Sequence, residues 1–478
     1  MIAMTLGQIA AAVGGWVVDG GADLQVTGDA FIDSRQAVTG GLFVAVAGER
    51  ADGHDFADAA VSGGGVGALV SRPVGVPAVV VGDPVQALGV LAQHVLASVP
   101  ALIVIGITGS QGKTSTKDML AQLLERSGET VAPVGSFNTE IGVPLTALRV
   151  RRSTRYLVTE MGARGPDDIR YLAAMVHPSV GVVLNVGVAH LGEFGSRADI
   201  AAAKGQLVEA LPADGLAILN ADDRLVANMR DRTSAGVVTF GEAAGADIRL
   251  DNVHVDDEGR ACFSIRTGAE AADIVLPLVG AHQARNAAAA AAAALGLGIR
   301  LADVAEALRS VTARSPWRME VATTRGGVTV INDAYNANPD SMRAALHVLA
   351  GFRDRREPDT RTFAVLGEMM ELGPSSDEEH GEVGRLAVRL GVSQLVVVGE
   401  PARPVHLAAV LQGSRPDESV CVADGEAALD FLRGALRPGD IVLVKASRAA
   451  GLEEVALALL EDAGTVDETG QGQSGSGS

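Results

Sequence analysis

Residues 101–125, ALIVIGITGSQGKTSTKDMLAQLLE, constrain the fold of this chain more than any other stretch. A continuous apolar run gives way to a glycine-rich turn and then to an amphipathic helical pattern. A strand apolar on both faces belongs inside a parallel sheet covered by helices. At the join stand Thr108, Gly109, Ser110, Gln111, Gly112, Lys113, Thr114 and Ser115. Glycines let backbone N–H groups turn toward an anion, and the helix N-terminus adds positive potential. Lys113 adds a charge and Thr114 a hydroxyl suited to Mg²⁺. The strict G-x-x-x-x-G-K-[ST] spacing is not met, because Ile107 stands where its first glycine belongs. The competing reading is a glycine-rich turn with an incidental lysine. Strand, helix and Lys-Thr pair together argue against it.

The chain has 478 residues, too many for one compact core. Three blocks are expected: 1–99, 100–313 and 314–465, with a low-complexity tail at 466–478. The first mixes short strands (42–46, 67–70, 78–81) with glycine-rich turns. In the second, strands are expected at 156–160, 180–186, 216–220 and 237–241. In the third they are expected at 328–332, 362–367, 394–399, 420–423 and 441–445, separated by helices such as 339–350 and 426–436. Asn338-Pro339 suits a helix start, since Asn caps and Pro fits the first turn. Alternating strands and helices imply a doubly wound parallel sheet. The alanine-rich run 286–297 is too short and too weakly apolar to span a bilayer, and reads as a buried helix.

A formal net charge of -19 excludes the nucleic-acid binders that displace counterions with a basic surface, and argues against an anionic membrane. A local basic pocket can still hold an anionic substrate. The two cysteines, Cys262 and Cys421, have no metal-ligand spacing and fit a reducing compartment. The N-terminus lacks a basic region followed by a long apolar core. A cytoplasmic protein without stable membrane insertion is expected.

Three titratable residues follow the phosphate loop. Glu160 ends the strand YLVTE, at the sheet edge where open α/β sheets bind ligands. His190 follows the strand GVVLNVGVAH in the same way, and Lys204 lies on a helix. Singly, each is as readily structural; behind a phosphate loop, together, they suggest a site.

The string 108–114 resembles the T-G-[ST]-x-G-K-[ST] loop of the Mur ligase family, and the likeness runs in order to about Asp462. It implies three domains: an N-terminal mixed α/β UDP-substrate domain, a central ATPase-type parallel sheet and a C-terminal Rossmann-like domain. It also implies an ATP-dependent, ADP-forming ligase acting through an acyl phosphate. By the same resemblance Thr114, Glu160 and His190 would hold Mg²⁺, with Lys204 carrying a carbamate; Gln206 replaces the usual Glu nearby. Asn138 and Thr139 belong to an N-x-x-x-G-x-P segment that would line the γ-phosphate and the substrate carboxylate, or close a turn. Asn286 ends a G-x-H-[NQ]-x-x-N segment that would read adenine, or cap a helix. Arg318 sits in a G-R-x-E junction whose Gly is Trp317 here, and could reach the γ-phosphate.

Residues 333–342, DAYNANPDSM, resemble the string of family members that join D-alanyl-D-alanine to UDP-MurNAc-tripeptide. Asp333 would meet the ATP ribose, Asn336 and Asn338 would shape the dipeptide or acyl-phosphate site, and Tyr335 would line the substrate site. Lys445 and Ser447, in a K-G-S-R-like string, would contact the substrate tail, while Ser34 and Arg35 would bind the uridine diphosphate. A monomer is expected. The competing activities are another step of the family, a folylpolyglutamate-type ligation, and ATP binding without catalysis.

Overall fold

The computed structural model describes residues 1–48, 51–187, 191–356, 359–415 and 417–463. Among them are three large sheets, one for each expected block. The first has five strands, in the order Trp16–Val18, Ala78–Val80, Gly67–Val70, Leu42–Val44 and Ala30–Phe31. The third has six, in the order Glu320–Thr323, Thr329–Asn332, Ile441–Lys445, Thr362–Leu366, Gln394–Val398 and Ser419–Val422. It is parallel except at Glu320–Thr323, which pairs antiparallel with Thr329–Asn332. The expected tail lies outside the described residues.

The central sheet has nine strands. Ile103–Thr108 sits between Tyr156–Glu160 and Val180–Val183, both parallel to it, with Glu160 opposite Ile107 and Val183 opposite Thr108. The C-terminal ends of three neighbouring strands are thus level, and the phosphate loop, Glu160 and the 184–187 turn share one edge. Leu216–Asn220 and Gly236–Gly241 extend the parallel part. Beyond them Ile248–Val255, Arg260–Thr267 and Glu270–Val279 form an antiparallel meander. The expected parallel sheet is present, and the meander extends it at one edge. An outer meander needs water on one face only, and Ile248–Val255 accordingly alternates in burial.

Helix Lys113–Glu125 packs against the alanine-rich helix His282–Gly296, both on one face of the sheet. Ala287 to Ala294 are all completely buried. Methyl side chains let this helix lie close to its neighbours on every side, and alanine costs no side-chain entropy in a helix. The first block does not stand apart. Helix Pro84–Ala97 belongs to one continuous core that joins Leu6 and Leu42 to Leu145, Leu172 and Met175. A Cβ on Gly89 would lie 2.9 Å from Met175 Cε, so glycine permits this close approach. No helix among the described residues is long and apolar enough to cross a membrane.

Candidate active site

A cleft of about 1330 Å³ opens where the three units meet. Its floor is the phosphate loop. Helix Lys113–Glu125 begins at Gly112 with no side chain capping it, so its N-terminal amides face the cleft uncapped. Gly112 adopts a φ of 81°, and a Cβ there would lie 2.3 Å from Asn286 Oδ1. Glycine is required twice over, by conformation and by space. Asn185 braces the loop from the next strand: its Oδ1 accepts from the N–H groups of Ser110 and Gln111, each at 3.0 Å, and its Nδ2 donates to Gln111 O at 3.1 Å.

Glu160 is almost wholly buried at the strand edge. Its Oε2 accepts from Thr114 Oγ1 at 2.9 Å, and its Oε1 accepts from Ser136 Oγ and Asn138 Nδ2, both at 2.9 Å. Arg318, from the third unit, donates through Nη2 to Thr114 Oγ1 at 3.0 Å and stacks on the Tyr335 ring at 4.2 Å. Its Nε is buried without a partner among the described residues, leaving a donor for a ligand oxygen. Lys113 Nζ donates to Gly109 O at 2.8 Å. Burial pushes the Lys113 ammonium below the ordinary lysine range; Glu160 opposes this and Arg318 adds to it.

Lys204 is buried on helix Arg197–Glu209 and does not line the cleft itself. Burial, and then the charge of Lys113, lower its pKa to about 7. His190 lies outside the described residues. Among those described, no three His, Cys, Asp or Glu side chains cluster as a metal site. The oxygens of Thr114 and Glu160 are nonetheless adjacent and hard, as Mg²⁺ prefers. Gln206 looks elsewhere: its Nε2 donates to Pro166 O at 2.7 Å and its Oε1 accepts from Arg170 N at 3.1 Å. A glutamate could not make the first bond.

Asp333, Tyr335, Asn336, Asn338, Lys445 and Ser447 all reach the cleft wall, but several of their polar groups are engaged within the protein. Lys445 Nζ donates to Asp333 Oδ2 at 2.6 Å and to Asn336 O at 2.9 Å, so its ammonium braces the 333–336 turn. Asp333 Oδ1 accepts from Met319 N at 3.1 Å; a ribose hydroxyl would use its remaining lone pairs. Asn338 Oδ1 accepts from Ser341 N at 2.9 Å and caps helix Pro339–Asp354, which begins where the Asn-Pro pair indicates. Ser447 Oγ accepts from Met370 N at 3.0 Å. Asn286 Nδ2 donates to Gln283 Oε1 at 2.9 Å beside the loop, and Thr139 lines the cleft near Glu160.

Ser34 and Arg35 are not brought to the cleft. They form an exposed turn in which Arg35 Nη2 pairs with Asp33 Oδ2 at 2.8 Å; hydrogen bonds from Arg35 hold the Asp33 carboxyl at about 2. Asn185 and Ser136 were missed by sequence reasoning. Asn185 carries a signal, a polar residue ending an apolar strand beside the loop. Ser136 carries none, because only the fold brings it to Glu160.

Comparison with known proteins decides the family. Residues 107–294 match the family model of the Mur ligase middle domain, and residues 317–448 that of the Mur ligase, glutamate ligase domain. The chain belongs to the Mur ligase family. The UDP-N-acetylmuramoyl-tripeptide--D-alanyl-D-alanine ligase of Mycobacterium tuberculosis H37Rv is 48% identical over 97% of this chain and 98% of its own length. A crystal structure of MurF from Acinetobacter baumannii superposes with a TM-score of 0.84 at 33% identity, covering 96% of this chain and 99% of that one. MurF from Thermotoga maritima, solved with ADP, gives 0.76 at 29% identity over 91% of this chain and 98% of that one. The two matches are separated by residues 295–316, which include the buried helix Leu301–Leu308 and lead from the alanine-rich helix to Arg318.

Proposed function

We propose that this chain is an ATP-dependent, ADP-forming ligase that joins D-alanyl-D-alanine to UDP-MurNAc-tripeptide, giving the pentapeptide precursor of peptidoglycan. The observation that carries the reading is the chain of contacts Arg318–Thr114–Glu160, which brings a cation of the third unit onto the phosphate loop of the second. The names of the relatives supply the substrates. We take the units as 1–99, 100–313 and 314–465, in keeping with one large sheet in each.

ATP phosphates would lie over the uncapped amides at Gly112 and Lys113, with Asn286 beside the loop on the adenine side. The free carboxylate of the tripeptide attacks the γ-phosphorus, an O–P bond forms, and ADP leaves. Lys113 and Arg318 face the oxygens on which charge develops. The uncharged amine of D-alanyl-D-alanine then attacks the acyl carbon. The tetrahedral intermediate expels phosphate, and the nitrogen loses its proton as the amide forms. Mg²⁺, when bound, would be held by Thr114 and Glu160 with His190, and would neutralise phosphate charge. Lys204, its pKa lowered to about 7, has a large neutral fraction near neutrality. Its nitrogen can therefore add CO₂ and lose a proton to give the carbamate. Uridine diphosphate recognition by Ser34 and Arg35, a monomeric state and a cytoplasmic location complete the proposal.

The test is phosphate release from ATP with UDP-MurNAc-tripeptide, with and without D-alanyl-D-alanine. Release that needs both, with a pentapeptide product by mass, is expected. Release only with another amino acid or precursor would overturn the substrate assignment. ATP binding with no release under any substrate combination would overturn the ligase reading.

A further inference from the structure

The backbone around Arg318 is unusual. Trp317 has a φ of 58° and Met319 a φ of 55°, so two bulky residues on either side of one arginine adopt the left-handed region that favours glycine. Such strain persists only where the surroundings hold it, and here they do. Trp317 O accepts from Tyr335 N at 3.3 Å, and Met319 N donates to Asp333 Oδ1 at 3.1 Å. The Trp317 indole is covered by the Arg448 guanidinium, 4.2 Å from the ring centre.

The preceding linker is already fixed. Gln122 Oε1 accepts from Thr312 N at 2.9 Å, Glu125 takes both guanidinium arms of Arg314, and Lys117 reaches Ser315 Oγ at 3.4 Å. All three partners lie on the helix that begins at the phosphate loop. The chain from Thr312 to Ser315 is therefore strapped to that helix, and only residues 316–319 remain to direct Arg318.

We propose that Trp317 is a positioning residue for Arg318: its indole, clamped on Arg448, holds the left-handed turn that delivers the guanidinium to Thr114. The inference rests on the reading of Arg318 as a phosphate-facing group. The turn aims Arg318 between the Tyr335 ring and the loop, with its Nε free for a ligand oxygen. Without the indole clamp the 316–319 segment can leave the left-handed region, and Arg318 loses its aim.

The test uses the full chain and phosphate release with both peptide substrates, alongside thermal midpoints. Trp317→Gly suits the backbone conformation, so it removes the clamp without adding strain. It is expected to lower kcat by about 10- to 100-fold, the cost of slight misplacement. Trp317→Phe should recover most of the rate, and Arg448→Met should slow the enzyme in the same direction. Trp317→Gly should add no further loss to Arg318→Ala, because it acts through that arginine. A parent kcat in Trp317→Gly, a Phe variant as slow as the Gly variant, or losses that multiply in the double variant would each overturn the proposal. An Arg318→Ala protein at the parent rate would sink the phosphate role as well. A slow Arg318→Ala beside a parent-rate Trp317→Gly would sink the positioning role alone.

Discussion

Gly112→Ala tests the phosphate loop at its most constrained point. The φ of 81° costs an alanine roughly 1–2 kcal/mol. The new methyl would also lie 2.3 Å from Asn286 Oδ1, and Asn286 is buried with its amide bonded to Gln283. Moving it aside breaks that hydrogen bond, at about 1 kcal/mol. The total is about 2–3 kcal/mol, and it can surface in two ways. A loop that relaxes in the free protein must be pulled back by nucleotide, which weakens binding by about 30- to 150-fold. A loop that cannot relax lowers stability by the same amount. The two losses should therefore sum to that total. Calorimetric titration with ADP and urea unfolding measure them separately. If the variant bound ADP at the parent affinity and unfolded at the parent midpoint, the geometric argument for the loop would be wrong.

Three further outcomes follow from the same geometry. Glu160→Gln keeps the shape but removes the charge beside Thr114. Phosphate release should fall by about 100-fold or more with the urea midpoint little changed, and an unchanged rate would exclude Glu160 as a metal ligand. Lys204, with a folded pKa of about 7 against the ordinary 10.5, makes the unfolded chain bind more protons between those values. Stability in CO₂-free buffer should accordingly rise with pH across that window, the penalty being complete below pH 7. Lys204→Met should lessen the slope, leaving the share of the buried Lys113 and Lys445, and stabilise the protein at pH 7 by as much as about 5 kcal/mol; parallel pH profiles for parent and variant would refute the burial argument. His380 is completely buried, its Nε2 accepting from Met369 N at 2.9 Å and its Nδ1 donating to Ser376 O at 2.8 Å. His380→Ala should cost about 1–3 kcal/mol in urea unfolding, because it strands a buried amide, and parent stability would count against that role.

What could be read in the sequence was what local chemistry determines. The strand at 156–160, the loop at 108–115 and the helix start at Asn338-Pro339 each depend on periodicity, glycine or a cap within a few residues, and each stands where expected. The 248–279 meander was legible in principle. Its first strand alternates, and Asp256-Asp257-Glu258-Gly259 and Thr267-Gly268 mark its turns. The longer apolar runs of the parallel strands are the stronger signal. Lys445 could be picked out by resemblance, but its pairing could not be read. Nothing near it in the chain reveals that its ammonium would be taken up by Asp333, 112 residues away. The same holds for Asn138, whose turn-like sequence conceals a hydrogen bond to Glu160.

The approach of the third unit to the second is a property of neither sequence segment alone. It is fixed by contacts in which each side supplies what the other lacks. Arg318 brings a cation to Thr114, Arg164 faces Glu371 at 3.4 Å, and Gly192 meets Gly373 backbone to backbone. In that last contact a Cβ on Gly192 would lie 2.7 Å from Gly373 N, and one on Gly373 2.8 Å from Gly192 Cα. Any larger residue at either position would hold the units apart. Because Gly192 lies shortly after the 184–187 turn that braces the phosphate loop, and Gly373 shortly after the Met370 amide held by Ser447, this separation would be felt on both walls of the cleft. The close approach of the two walls at this point therefore depends on two residues that present no functional group at all.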